Sequence, residues 1–116
     1  MPDPEALRDL AVQALDELKA FDLKVLDVRG LTSLTDFMVV ASGNSDRHVR
    51  ALARNLVERA KEQGHLPLGV EGDRDGEWVL VDLADVVVHV MLPRVRDFYQ
   101  LERLWAVPSG TESVAG

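Results

Sequence analysis

Apolar residues return at Leu7, Leu10, Ala11, Ala14, Leu15 and Leu18, a period of three to four that predicts a one-faced amphipathic helix. Asp3 before Pro4 marks its start, with a capping carboxylate followed by proline at the first helical position. Two strand-like segments come next, a short one at 24–28 and the run Phe37-Met38-Val39-Val40-Ala41, apolar on both faces and so read as a central strand. Ser42-Gly43-Asn44-Ser45-Asp46 breaks that run and offers capping side chains. A second helical period then covers Val49, Leu52, Ala53, Leu56, Val57 and Ala60 and stops at Gly64, its other face heavily charged. Residues 66–70 predict a third short strand, Asp73-Arg74-Asp75-Gly76 a turn, and residues 77–83 and 85–92 two more strands. Ala84 alone is too short a connection, so that turn must borrow flanking residues. Pro93 ends the last strand, and Val95, Phe98, Leu101, Glu102 and Trp105 predict a short final helix.

This order of elements predicts an α/β (α+β) fold, a mixed sheet of about five strands flanked by helices. Residues 1–107 form one expected domain, and the polar stretch 108–116 an expected flexible tail. Alternation along the fourth strand puts Trp78, Leu80 and Asp82 on one side and Val79, Val81 and Leu83 on the other. Both sides therefore carry apolar groups. With the two long helices on one face, the other needs the final helix, a second copy or a partner protein to cover it.

Composition narrows the partners. Twenty acidic against 13 basic residues make a formal charge of −7 in 116 residues, a field that repels phosphate backbones and anionic lipids but admits a basic protein. There is no cysteine, which removes disulfides, thiolate nucleophiles and thiolate metal sites. No apolar run reaches the roughly 18 residues of a membrane span, and the first residues lack a secretory pattern, so a cytoplasmic location is expected.

Catalytic signals are weak. His48, His65 and His89 show no metal-binding spacing and read as a side chain near a helix start, a loop residue and a hydrogen-bonded strand histidine. Ser42 and Ser45 lack a nucleophile-elbow context. Gly43-Asn44-Ser45 opens a helix after a strand, where backbone N–H groups can cradle phosphate, and it is similar to the Gly-Ser start of nucleotidyltransferases. The strand-borne carboxylate pair of those enzymes has no counterpart here, and capping of the second helix by Asn44 or Ser45 is the simpler reading. A polar and aromatic set remains in the second half: Glu71-Gly72, Trp78, Asp82, Asp85, His89, Arg96, Tyr99, Glu102 and Trp105. Trp105 reads as a core anchor, whereas Trp78 suits a binding surface as well as a dimer core.

Five segments in order carry a family likeness: 35–45 (TDFMVVASGNS), Glu71-Gly72, 78–82 (WVLVD), 85–90 (DVVVHV) and 99–105 (YQLERLW). Together they resemble the ribosomal silencing factor, or Iojap-like, family. The resemblance implies a nucleotidyltransferase-like fold lacking catalytic carboxylates, no enzymatic activity and no cofactor. It further implies a homodimer and binding to the large ribosomal subunit through a basic protein, number fourteen of the large-subunit set. Such binding would keep the small subunit from joining and lower translation when nutrients run short. The expected partner-binding residues are Trp78, Leu80, Asp82, Glu71 and Arg96. The alternative is a nucleotidyltransferase-like nucleotide binder or enzyme using Gly43 and Ser45.

Overall fold

A computed structural model describes residues 3–99. Helix α1 (Pro4–Glu17) starts at Asp3, whose carboxylate accepts the Glu5 N–H, with Pro4 in the first turn as expected. It is followed by β1 (Phe21–Asp27), β2 (Phe37–Ser42), α2 (Asp46–Glu62), β3 (Gly69–Glu71), β4 (Trp78–Asp82), β5 (Val86–Met91) and α3 (Pro93–Tyr99). The five strands form one sheet in the order β1-β2-β5-β4-β3. Only β2 and β5 run parallel; the other neighbouring pairs are antiparallel.

The apolar run that predicts a central strand lies where that pattern requires, since every residue of β2 is buried. Phe37, Val39 and Ala41 of β2, Val79 and Val81 of β4, and Val86, Val88 and Val90 of β5 face α1 and α2. Leu7, Ala11, Ala14 and Leu15 of α1 and Val49, Leu52, Ala53, Leu56 and Ala60 of α2 complete this main core. The opposite face holds a smaller cluster of Val28, Met38, Val40 and Met91, against which Leu26, Trp78 and Val95 pack. The long helices do share one face.

Phe37 ties the two layers together. The guanidinium carbons of Arg8 and Arg29 sit 4.8 and 4.7 Å from its ring centroid. Arg29 is held in place by Asp27 at 2.6 Å and Glu5 at 3.4 Å, and its hydrogen bonds keep the Asp27 carboxyl below its ordinary pKa.

Two boundaries differ from the sequence pattern. The third strand spans only Gly69–Glu71, because Pro67 cannot donate to a ladder and Leu66 and Leu68 stay 72% and 73% exposed. The first strand begins earlier, at Phe21, through an irregularity in register between Phe21 and Lys24 that goes with a positive φ of 50° at Asp22. The β4–β5 turn does borrow its neighbours. Leu83 N donates to Val86 O at 2.9 Å, Ala84 adopts φ 74°, and the Asp82 carboxylate accepts the Ala84 N–H at 2.9 Å. Asp85 contributes its carbonyl, which accepts from Asp36 and Phe37 at 2.9 and 3.1 Å and so anchors the start of β2.

The long helices end alike but with different residues. After α1 the Ala20 N–H reaches Leu15 O at 3.1 Å with Lys19 at φ 63°; after α2 the His65 N–H reaches Ala60 O at 2.8 Å with Gly64 at φ 84°. A side chain in this left-handed conformation costs about 1 kcal/mol more than glycine does. Lys19→Gly is therefore expected to stabilise the fold by about 0.5–1 kcal/mol, and Gly64→Ala to destabilise it by about 1 kcal/mol, in urea unfolding curves. Nothing lies within 4 Å of a Cβ built on Gly64, so the second effect should be conformational and not steric.

Candidate functional site

Strand pairing brings four of the five sequence-predicted site residues onto the sheet face opposite the long helices. Glu71 is opposite Leu80, Leu80 opposite His89, Asp82 opposite Val87, and Trp78 opposite Met91, and paired residues share a face. The result is a surface of half-buried Trp78, Leu80, Asp82 and Val87 with exposed Glu71 at its edge. The Glu71-Gly72 pair has a steric origin. Gly72 adopts φ 83°, and a Cβ there would lie 2.0 Å from the Trp78 carbonyl oxygen, so only glycine lets the turn pass this close to β4.

Arg96, the fifth residue, sits differently. On α3 it is 7% exposed, and its Nη1 donates to Ser42 Oγ at 2.9 Å, which fastens α3 to the end of β2. Its guanidinium thus stands at the margin of the surface with little access to solvent. Phe98 and Tyr99 belong to α3 by their backbone only, and Glu102, Trp105 and the expected tail at 108–116 lie outside the described residues.

Beneath the surface is a contact that the sequence reading did not pair. His89 is 6% exposed, and its Nδ1 accepts the Trp78 indole N–H at 2.9 Å. Burial depresses its pKa from 6.5 to about 4, so the ring is neutral near pH 7. A signal existed: a turn centred between Ala84 and Asp85 sets positions 80 and 89 opposite one another, with 78 two residues along the same face.

Two backbone donors of the Gly43-Asn44-Ser45 turn are occupied from within. Gly43 N–H donates to Met91 O at 3.0 Å, Asn44 N–H to His48 Nδ1 at 2.9 Å, and the Ser45 hydroxyl caps α2 by accepting His48 N–H at 3.1 Å. Nδ1 of His48 being an acceptor, its Nε2 carries the proton and donates to Leu18 O at 2.7 Å. That histidine joins the start of α2 to the end of α1. Among the described residues, no three His, Cys, Asp or Glu side chains are grouped to hold a metal ion. A concavity of about 360 Å³ between α1 and α2 is lined by Glu17 and Arg59, which are paired with each other, Glu17 also accepting from Asn55 at 3.0 Å. No described helix is long and apolar enough to cross a membrane.

Residues 2–114 match the family described as "Ribosomal silencing factor during starvation". This chain belongs to that family. The ribosomal silencing factor RsfS of Chromobacterium violaceum is 50% identical over 101 residues, covering 87% of this chain and 83% of the relative. The factor of the same name from Bacillus subtilis is 40% identical over 101 residues, covering 87% and 86%. A crystal structure of a Chromobacterium violaceum protein superposes with a TM-score of 0.90 at 46% identity, covering 98% of this chain and 95% of that one. The five segments that carry the likeness in the sequence thus lead to the right family and fold. In this silencing-factor family member they mark, within the described residues, the central parallel strands and their turns, the Glu71-Gly72 bend and the strand bearing Trp78.

The buried histidine has a consequence for acid stability. Between pH 6.5 and about 4 the unfolded chain binds a proton that folded His89 refuses, so its contribution is intact above pH 6.5 and lost as the pH falls to about 4. A shift of this size corresponds to about 3 kcal/mol. Unfolding free energies measured across that window should fall steeply for the parent chain and distinctly less for His89→Asn. Equal slopes in the two proteins would refute the burial of a neutral ring.

Proposed function

We propose that this chain represses translation by binding the large ribosomal subunit through the Trp78 face and sterically blocking the small subunit. The partner is a basic ribosomal protein, number fourteen of the large-subunit set, and the work is done in the cytoplasm, without catalysis or cofactor, when nutrients are limiting. The observation that carries this reading is the Trp78 surface itself, apolar at Trp78, Leu80 and Val87 and acidic at Glu71 and Asp82, on a member of a family of ribosomal silencing factors. A large aromatic ring on a face that also carries two carboxylates fits a basic protein, since the ring contributes contact area while the charges orient the partner. The net charge of −7 favours the same partner and disfavours direct contact with RNA phosphates. The nucleotide-binding alternative gains no support, because Gly43 and Asn44 N–H already have acceptors in the protein and the Ser45 hydroxyl caps α2.

Removing the anchor is the direct test. Trp78→Ala should keep its circular dichroism and a cooperative melt, yet lose about thirtyfold in affinity for purified large subunits, the effect of about 2 kcal/mol. Full binding by a folded variant would exclude this interface. Parent affinity should weaken as salt rises from low to physiological, where screening acts over roughly 8 Å, and an affinity independent of salt would exclude the electrostatic part.

The same surface leads us to propose a homodimer in the free protein, one copy covering the other's apolar patch. Light scattering at tens of micromolar should give twice the 12.8 kDa chain mass. A strictly monomeric mass would overturn the homodimer and mean that the final helix covers the patch or that the patch stays open for the ribosomal partner.

A further inference from the structure

The indole of Trp78 and the imidazole of His89 stand 5.9 Å apart between centroids, tilted by 51°, and share the 2.9 Å hydrogen bond from Nε1 to Nδ1. An indole N–H can only donate, so Nδ1 must present its lone pair and the single proton of the neutral ring lies on Nε2. The two residues differ in how firmly their backbones are held. His89 is on β5, paired with Val40 on one side and Leu80 on the other, whereas Trp78 is the first residue of β4, next to the turn at 73–76. The bond therefore ties the ring of a strand-end residue to a central strand.

We propose that His89 is a positioning residue for partner recognition: its Nδ1 lone pair holds the Trp78 indole in one orientation, so that the partner meets a preformed anchor. This inference rests on the reading of the Trp78 face as the ribosome-binding surface. Its physical basis is that a large side chain which is still mobile must be ordered during binding, at a cost in affinity of about three- to tenfold, whereas a ring already fixed escapes most of that cost. Half-buried indoles need an acceptor for their N–H, and here His89 supplies it from inside the protein. Asp82 and Glu71 do not take this role. Asp82 Oδ1 already accepts the Ala84 N–H, and Glu71 is exposed at the far edge of the sheet.

Two substitutions separate positioning from simple packing. His89→Phe keeps a ring of similar size and removes the acceptor, while His89→Asn places a carbonyl oxygen near the position of Nδ1. Affinity for purified large subunits should fall three- to tenfold in His89→Phe and return to within about twofold of the parent in His89→Asn, with cooperative melts for both. Equal affinities in the two variants would overturn the proposal. In the unsubstituted protein, long-range proton–nitrogen correlations should show His89 as the Nε2–H tautomer. The Trp78 indole N–H, identified by its loss in Trp78→Phe, should exchange slowly with water. An Nδ1–H tautomer, or an indole proton exchanging as in free tryptophan, would overturn the proposal even if a variant failed to fold. Loss of binding in Trp78→Ala with normal binding in His89→Phe would remove the positioning role and leave the interface standing. Normal binding in Trp78→Ala would remove both.

Discussion

The parallel pairing of β2 with β5 is the constraint on which the rest of the fold depends. All six residues of β2 and five of the six in β5 are buried, so the centre of the sheet has apolar groups on both faces. Water cannot serve as the cover for either side. One face is closed by α1 and α2, whose buried stripes of leucine, valine and alanine match the valines beneath them. The other face is closed over Met38, Val40 and Met91 but is left partly accessible at Trp78, Leu80 and Val87. The candidate surface lies where the second cover thins out.

That origin explains why the candidate site combines burial with access. Residues at the centre, such as His89, are excluded from water and held by pairing on two sides; those on β4 are held on the same sheet but nearer its margin. A hydrogen bond between the two rows joins the Trp78 ring to the buried strand. Arg96 does comparable work at the other margin, where its bond to Ser42 fastens α3 to the sheet. Acidic groups lie on the same surface, with Glu71 brought opposite Leu80 by a bend that only glycine permits.

The stretch most suggestive of chemistry is explained by architecture. Gly43, Asn44 and Ser45 form the junction between the buried central strand and α2, and their polar groups bond to Met91 and His48. A phosphate-binding turn presents such donors outward, whereas here the His48 side chain folds back onto the Asn44 N–H and the Met91 carbonyl takes the Gly43 N–H. His48 then continues to Leu18 at the end of α1, so the junction serves to fix the two long helices relative to each other.

Much of this was legible in the sequence, for reasons tied to particular residues. The doubly apolar run at 37–41 predicts a central strand, and the three-to-four-residue periods predict amphipathic helices capped by Asp3 and by Asn44 or Ser45, between which the fold selects Ser45. Alternation from Trp78 to Asp82 assigned the right side chains to the right faces, because the period of two depends on the backbone alone. Five short segments in a set order were enough to indicate the family. The limits of β1 and β3 were not legible, since they depend on a register shift near Asp22 and on whether the leucines beside Pro67 find a neighbour to cover them. Nor was the bond between Trp78 and His89, or the burial of Arg96 against Ser42. Sequence patterns report the environment that each residue needs; which distant residue supplies it is decided only when the strands pair and the helices dock.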